Sequence, residues 1–311
     1  MPDPQDQQNA IALGRQNAAD ILTRRQAALE RRASALNARS IRLQAAAPEG
    51  VTAFAARLKT AGNLLALGDS WFDYPFHDVL KELEDGHGFT IQSTAKAGDP
   101  IESMAYHGGQ LDNFARALEK ITDQGNVPQA VLLSGGGDDI AGKEFGMLIN
   151  NALSKIGGWA PGIVDYVLGQ RILRAYQTIV STVTELCRPA IGGQAIPVLV
   201  HGYDYPVPDG RGFLGGWLFL PGPWLEPGFR EKLFFDPPTT TAMMKTIIDQ
   251  FNAMLSSLVA DPAFSNVRYI DLRGTLSNNL ANDEYKQWWA NELHPTEQGF
   301  AAVADKFAAY L

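Results

Sequence analysis

Apolar residues recur along this chain in two modes. Short continuous runs stand at Leu64–Leu67, Ala130–Leu133 and Ile196–Val200. Runs of this kind, built from Leu, Val and Ile, read as strands buried on both faces of a sheet. With two weaker runs they predict strands over 63–69, 89–96, 129–135, 195–202 and 266–272. Between them, helical spacing predicts helices near 76–85, 101–121, 170–187 and 239–260, and a last one from about 297 to the C-terminus. Strand alternates with helix, which predicts an α/β fold. Its simplest form is a doubly wound parallel sheet of five strands in flavodoxin-like order, with right-handed crossovers.

Three regions stand outside that alternation. Residues 1–50 form a predicted N-terminal helical extension, leaving 51–311 as the main domain. The helix covers 10–47, with Leu22, Leu29, Leu36 and Leu43 at seven-residue spacing. The companion positions Ala19, Gln26, Ala33 and Ser40 are too small or polar for a good zipper. The helix is expected to pack on the domain or on a second subunit, making a homo-oligomer. Its cluster Arg24, Arg25, Arg31 and Arg32 also suits an acidic surface. Pro48-Glu49-Gly50 marks its expected end. Two insertions follow, at about 143–169 and 205–238. The second is rich in proline and aromatic residues, which argues against disorder. It reads as an ordered wall or lid over an apolar pocket, or as a satellite core.

Composition narrows the classes of function. Hydrophobic residues are 45% of the 311, enough for a substantial core. A formal charge of −8 argues against a nucleic-acid surface. The single cysteine, Cys187, cannot form an internal disulfide and reads as a structural thiol. No basic stretch followed by an apolar core opens the chain, and no run is long enough to span a bilayer; a cytoplasmic location is expected. The histidines and the cysteine show no metal-ligand spacing, and Gly135-Gly136-Gly137 lacks the lysine and hydroxyl residue of a phosphate-cradling loop.

The chemistry gathers at the predicted carboxyl ends of the strands, where open parallel sheets bind ligands. The first strand ends in Gly68-Asp69-Ser70-Trp71, the second in Lys96-Ala97-Gly98-Asp99, the third in Ser134-Gly135-Gly136-Gly137-Asp138-Asp139 and the fourth in His201-Gly202-Tyr203. Ser70 is a candidate nucleophile held by a strand tip, and glycines there let backbone N–H groups approach a ligand. A serine nucleophile needs a base. His294, followed by Pro295 at the entry to the last helix, is the candidate. His201 is an alternative base, although a histidine after an apolar strand more often belongs to the core.

Together these residues resemble the SGNH (GDSL-type) hydrolase superfamily over roughly 60–311. Gly68-Asp69-Ser70 matches its nucleophile motif, Gly98 its second-motif glycine, Gly136-Gly137-Asp138-Asp139 resembles its Gly-x-Asn-Asp motif, and His294-Pro295 the end of its Asp-x-x-His motif. The resemblance implies a three-layer α/β/α fold and a serine esterase or lipase-like hydrolase without a cofactor or metal. Ser70 would attack an ester carbonyl and His294 would take its proton. The N–H groups of Ser70 and Gly98 would face the oxyanion, and Trp71 would be a wall residue. Asp69, Tyr203 and Trp217 are further candidates for the substrate side.

Two positions depart from that family. Asp138 stands where it has asparagine, and Asn291 where it has the triad aspartate. An ionised Asp138 can only accept hydrogen bonds, whereas a protonated one can donate to an oxyanion. Asn291 can set the histidine tautomer through its Oδ1. Glu292 is a substitute acid for orienting His294. The same exchange also fits a catalytically impaired module that binds a lipid or glycan in the cleft, and the same residues suit acyl transfer to an alcohol.

Overall fold

A computed structural model describes residues 4–43, 60–107, 109–142, 144–215 and 220–311. The strands are β1 (Asn63–Leu67), β2 (Thr90–Ser93), β3 (Ala130–Leu133), β4 (Ile149–Asn150), β5 (Gly158–Trp159), β6 (Val198–His201) and β7 (Val267–Ile270). Five of them form one parallel sheet in the order β2-β1-β3-β6-β7, the flavodoxin-like winding. The three continuous apolar runs are the three central strands, and β3 and β6 are buried throughout. The edge strands β2 and β7 mix buried with exposed positions. A central strand has a helix layer on both faces and tolerates no polar side; an edge strand does. The short β4 and β5 pair antiparallel inside the first insertion.

Helices cover both faces. They are α1 (Pro4–Leu43), α2 (Val79–His87), α3 (Ile101–Tyr106), α4 (Gly109–Asp123), α5 (Gly137–Ile140), α6 (Pro161–Tyr166), α7 (Leu173–Cys187), α8 (Glu226–Glu231), α9 (Pro237–Ala260) and α10 (Glu297–Ala308). One group holds α2 against α10; the other holds α4, α7 and α9. A π-helical turn, Val167–Ile172, joins α6 to α7. The single helix expected over 101–121 is two, α3 and α4, which part after Tyr106. The last helix starts at Glu297, as expected, because Thr296 is the N-cap and its hydroxyl accepts from Gly299 N–H at 3.2 Å.

The N-terminal helix packs on its own domain, along α7 and α4. The face it buries is not the leucine heptad. Leu22 is exposed, Leu29 is half-buried, and the side chains of Leu36 and Leu43 lie outside the described residues, as does the Pro48-Glu49-Gly50 end. Ala10, Gly14, Ala18 and Ile21 are the buried positions instead, and Ala10 and Gly14 meet α7. These small residues bring the two backbones close enough for Thr182 Oγ1 to donate to Gly14 O at 3.1 Å. A Cβ at Gly14 would stand 2.5 Å from Thr178 O and 2.6 Å from Ser181 Cβ. Arg25 forks onto Glu119 at 2.7 and 2.5 Å and Arg24 reaches Asp112 at 2.8 Å, so half of the basic cluster is spent inside the chain.

The second insertion serves both expected uses. Phe229 packs edge-on against Phe145 and near Trp159, a satellite core between the two insertions. Phe213 and Trp224 turn toward Tyr74 and His294. Among the described residues no helix is long and apolar enough to cross a membrane. Cys187 is buried and unpaired, with its thiol pushed up to about 12 by burial. Gly14→Val is expected to lower unfolding free energy by about 1–3 kcal/mol in denaturant titration, because it overpacks against backbone. Leu22→Ala is expected to cost under about 0.5 kcal/mol.

Candidate active site

The Ser70 turn is built by exclusion of side chains. A Cβ on Gly68 would lie 2.8 Å from the Ser134 carbonyl oxygen, so only glycine lets the end of β1 pass the end of β3 this closely. Asp69 is buried beneath the turn. Its Oδ1 accepts from Trp71 N–H at 3.0 Å and Ser134 Oγ–H at 2.6 Å, and its Oδ2 from Tyr203 O–H at 2.6 Å. Asp69 is therefore a brace, not a group presented to a ligand. Tyr203 shares that duty, its hydroxyl also accepting from Gly137 N–H at 3.2 Å.

Trp71 joins the two ends of the site. Its Nε1–H donates to Leu293 O at 3.1 Å, which brings the His294 loop over the Ser70 turn. Ser70 Oγ then lies 2.7 Å from His294 Nε2, and His294 Nδ1 lies 3.0 Å from Asn291 Oδ1. The proton positions follow from the surroundings. Asn291 Oδ1 receives the backbone N–H groups of Leu293 and His294, both at 2.9 Å, so oxygen and not nitrogen occupies that place. Its Nδ2–H donates to the Tyr74 hydroxyl oxygen at 2.9 Å. An amide oxygen only accepts, so His294 Nδ1 carries hydrogen and Nε2 accepts from Ser70. Tyr74 stacks on the imidazole at 4.1 Å between centroids, and the Trp224 ring approaches it edge-on at 5.6 Å. Burial without a carboxylate partner pushes the His294 imidazole down to about 3, so the ring is neutral at ordinary pH.

Glu292 is not the acid behind His294. Its carboxylate turns the other way and accepts four backbone N–H groups from the second insertion. Displacement by one residue along the loop reverses the side-chain direction. His201 is not the base beside Ser70. It is fully buried, donates from Nδ1 to Gly202 O at 2.8 Å, and meets Ser134 Oγ at 2.9 Å through Nε2.

The third turn brings two carboxylates with different fates. Asp139 caps α3, accepting from Ile101 N–H at 2.7 Å and Glu102 N–H at 3.3 Å; burial still raises it to about 6. Asp138 borders the cleft, and among the described residues its buried Oδ2 has no hydrogen-bond partner. Burial above all, and then Asp69, Asp139 and Asp99, push it up to about 7. Gly98 and Ser70 border the same space, and among the described residues neither backbone N–H has a protein acceptor.

Two cavities meet at Ser70. A narrow apolar one of about 60 Å³ runs between the strand ends and α9, past Trp71, Ile140, Met244, Ile247 and Phe251. A wider one of about 280 Å³ is lined by Tyr74, Gly98, Phe213, Trp224 and His294. Asp138 borders both. Tyr203 and Trp71 lie along the narrow cavity; Trp217 falls outside the described residues. Tyr74 and Trp224 carry no signal in the sequence beyond aromatic character near the motifs. Ser134 stood at a strand end but gave no sign of its contact with Asp69.

No family model and no curated protein matches this chain. Among solved structures, it is similar to a GDSL-like lipase from Bacteroides thetaiotaomicron VPI-5482, with 10% identity over 80% of this chain and 86% of that one, TM-score 0.40. It is also similar to a catalytic mutant of Axe2, an acetylxylan esterase from Geobacillus stearothermophilus, with 14% identity over 81% and 94% and TM-score 0.41. A third is LAE5, an alpha/beta hydrolase enzyme from the metagenome of Lake Arreo, with 14% identity over 81% and 95% and TM-score 0.40. At these scores the likeness carries no chemistry over to this chain.

Proposed function

We propose that this chain is a serine hydrolase of carboxylic esters. The observation that carries the reading is the unbroken chain from Ser70 Oγ through His294 to Asn291, with the tautomer that leaves Nε2 as acceptor. Ser70 Oγ adds to the ester carbonyl carbon as its proton passes to His294 Nε2. The tetrahedral oxyanion is stabilised by the N–H groups of Ser70 and Gly98 and by the acid form of Asp138. Collapse breaks the bond to the alcohol oxygen, which leaves with the proton from His294. Water then adds to the acyl carbon as its proton passes to the same nitrogen, the Oγ–acyl bond breaks to release the carboxylic acid, and the proton returns to Ser70 Oγ. Acyl transfer through a serine needs no cofactor.

The two cavities divide the substrate. His294 must reach the leaving oxygen, and it lines the wide cavity, not the narrow one. The alcohol therefore takes the wide side and the acyl chain the narrow apolar side. A water needs roughly 10–15 Å³ of the same kind of space, so the narrow cavity of about 60 Å³ suits an acyl chain of a few carbons.

A fluorophosphonate probe is expected to label Ser70 and to leave Ser70→Ala and His294→Ala unlabelled. Short-chain nitrophenyl esters are expected to be cleaved by the wild type and not by either variant. A folded wild type that resists labelling would instead be the impaired, ligand-binding module that Asp138 and Asn291 allow.

Two departures from the SGNH pattern make separate predictions. A carboxylate at 291 would receive Leu293 N–H, His294 N–H, His294 Nδ1–H and Tyr74 O–H, four donors and no clash. Asn291→Asp is therefore expected to raise the pKa of His294 and to raise kcat at neutral pH by on the order of tenfold or more. The pH dependence has a definite sign. Turnover needs neutral His294, present above about 3, and protonated Asp138, present below about 7. Wild-type kcat/KM is expected to fall as pH rises through about 7. In Asp138→Asn the donor is permanent, and the alkaline fall should vanish from pH–rate profiles.

A further inference from the structure

Glu292 is the most heavily engaged carboxylate near the site, and the reaction does not use it. Its side chain is fully buried between Asn291 and His294 in the loop that carries both. Oε1 accepts from Gly210 N–H and Glu226 N–H, each at 3.0 Å; Oε2 accepts from Trp224 N–H at 2.6 Å and Leu225 N–H at 2.8 Å. The Glu292 N–H donates to Arg211 O at 3.2 Å. Arg211 Nη1 returns to Trp289 O at 2.9 Å and Ala290 O at 3.1 Å. Two separate stretches of the second insertion thus meet on one side chain of the His294 loop.

Those stretches carry the cleft walls. Trp224 lies edge-on to His294, and Phe213, two residues beyond Arg211, lies edge-on to Tyr74. Both face the wide cavity. Leu225 reaches the narrow one. Burial pushes the Glu292 carboxyl above the ordinary carboxylate range, and the four N–H groups work against that rise, so each side of the contact satisfies polar groups the other would leave buried and unpaired. The loop and the insertion therefore need each other. The imidazole is held separately, by Asn291 Oδ1 and by the Trp71 contact to Leu293 O.

We infer that Glu292 is a positioning residue: it latches the aromatic insertion onto the catalytic loop and so sets which alcohols the wide cavity admits. This rests on the ester-hydrolase reading for its substrate, and on the hydrogen bonds alone for the latch.

Hydrogen exchange and kinetics test the two parts separately. In the wild type, the amides of Gly210, Trp224, Leu225 and Glu226 are expected to exchange slowly. Exchange at ordinary loop rates would overturn the latch without any variant. Glu292→Gln keeps the shape but turns an NH₂ toward donors, so those amides are expected to exchange about tenfold or more faster. KM for esters of bulky aromatic alcohols should rise about tenfold, with a smaller fall in kcat. Trp224→Ala, which leaves the latch in place, should reproduce the rise in KM without faster exchange at 210. Equal loss on all esters, together with loss of fluorophosphonate labelling, would mean that Glu292 acts through His294 and would overturn the inference. An unlabelled wild type with slow, Glu292-dependent exchange would sink the ester reading and leave the latch standing.

Discussion

The backbone N–H groups of Leu293 and His294 decide the chemistry of this cleft. Both point at one atom, Asn291 Oδ1, and a donor can only face an acceptor. That fixes the amide, the amide fixes the hydrogen on His294 Nδ1, and the hydrogen leaves Nε2 open to Ser70. The local loop geometry thus selects a tautomer that an aspartate would otherwise select by charge. What it does not supply is charge. The imidazole is buried and stacked on Tyr74 with no carboxylate behind it, and its affinity for a proton is low.

The missing negative charge reappears across the cleft at Asp138. Relative to the SGNH pattern, amide and carboxylate have changed places, and each new group is handled by its setting. The carboxyl at 138 lies in a poorly solvated corner beside Asp69, Asp139 and Asp99, which favours the protonated, donating form. Among the described residues its buried Oδ2 has no hydrogen-bond partner, and in the proposed reaction the acid form would donate to the oxyanion. In the proposed reaction the two departures would act on different halves: one would weaken the base, and the other would make the oxyanion hole depend on pH.

The fold was legible because burial on two faces leaves a strong mark. Leu64–Leu67, Ala130–Leu133 and Ile196–Val200 read as continuous apolar runs, and they mark the central strands. Ser70, Gly98, Asp138 and His294 were legible because each follows a strand end or precedes a helix, where the winding gathers them. The N-terminal helix and its packing on the domain were legible, but the face it buries was not. A leucine heptad is conspicuous, but helices that touch backbone to backbone use small residues, and Ala10, Gly14 and Ala18 look like nothing in a sequence rich in alanine. Of the two neighbours that could orient His294, Asn291 does so and Glu292 does not, because adjacent side chains in this loop point to opposite sides. Trp224 was legible only as one of the aromatic residues of the second insertion, and Tyr74 was not legible, since an aromatic ring in an irregular segment has no periodic partner to reveal which surface it covers.

The direct test of this account is the protonation of one ring. Nitrogen NMR of the ¹⁵N-histidine-labelled protein reads hydrogen at each imidazole nitrogen. The account predicts that His294 is neutral from pH 5 to 8, with hydrogen on Nδ1 and none on Nε2. A cationic ring at pH 6, or hydrogen on Nε2 in place of Nδ1, would contradict it.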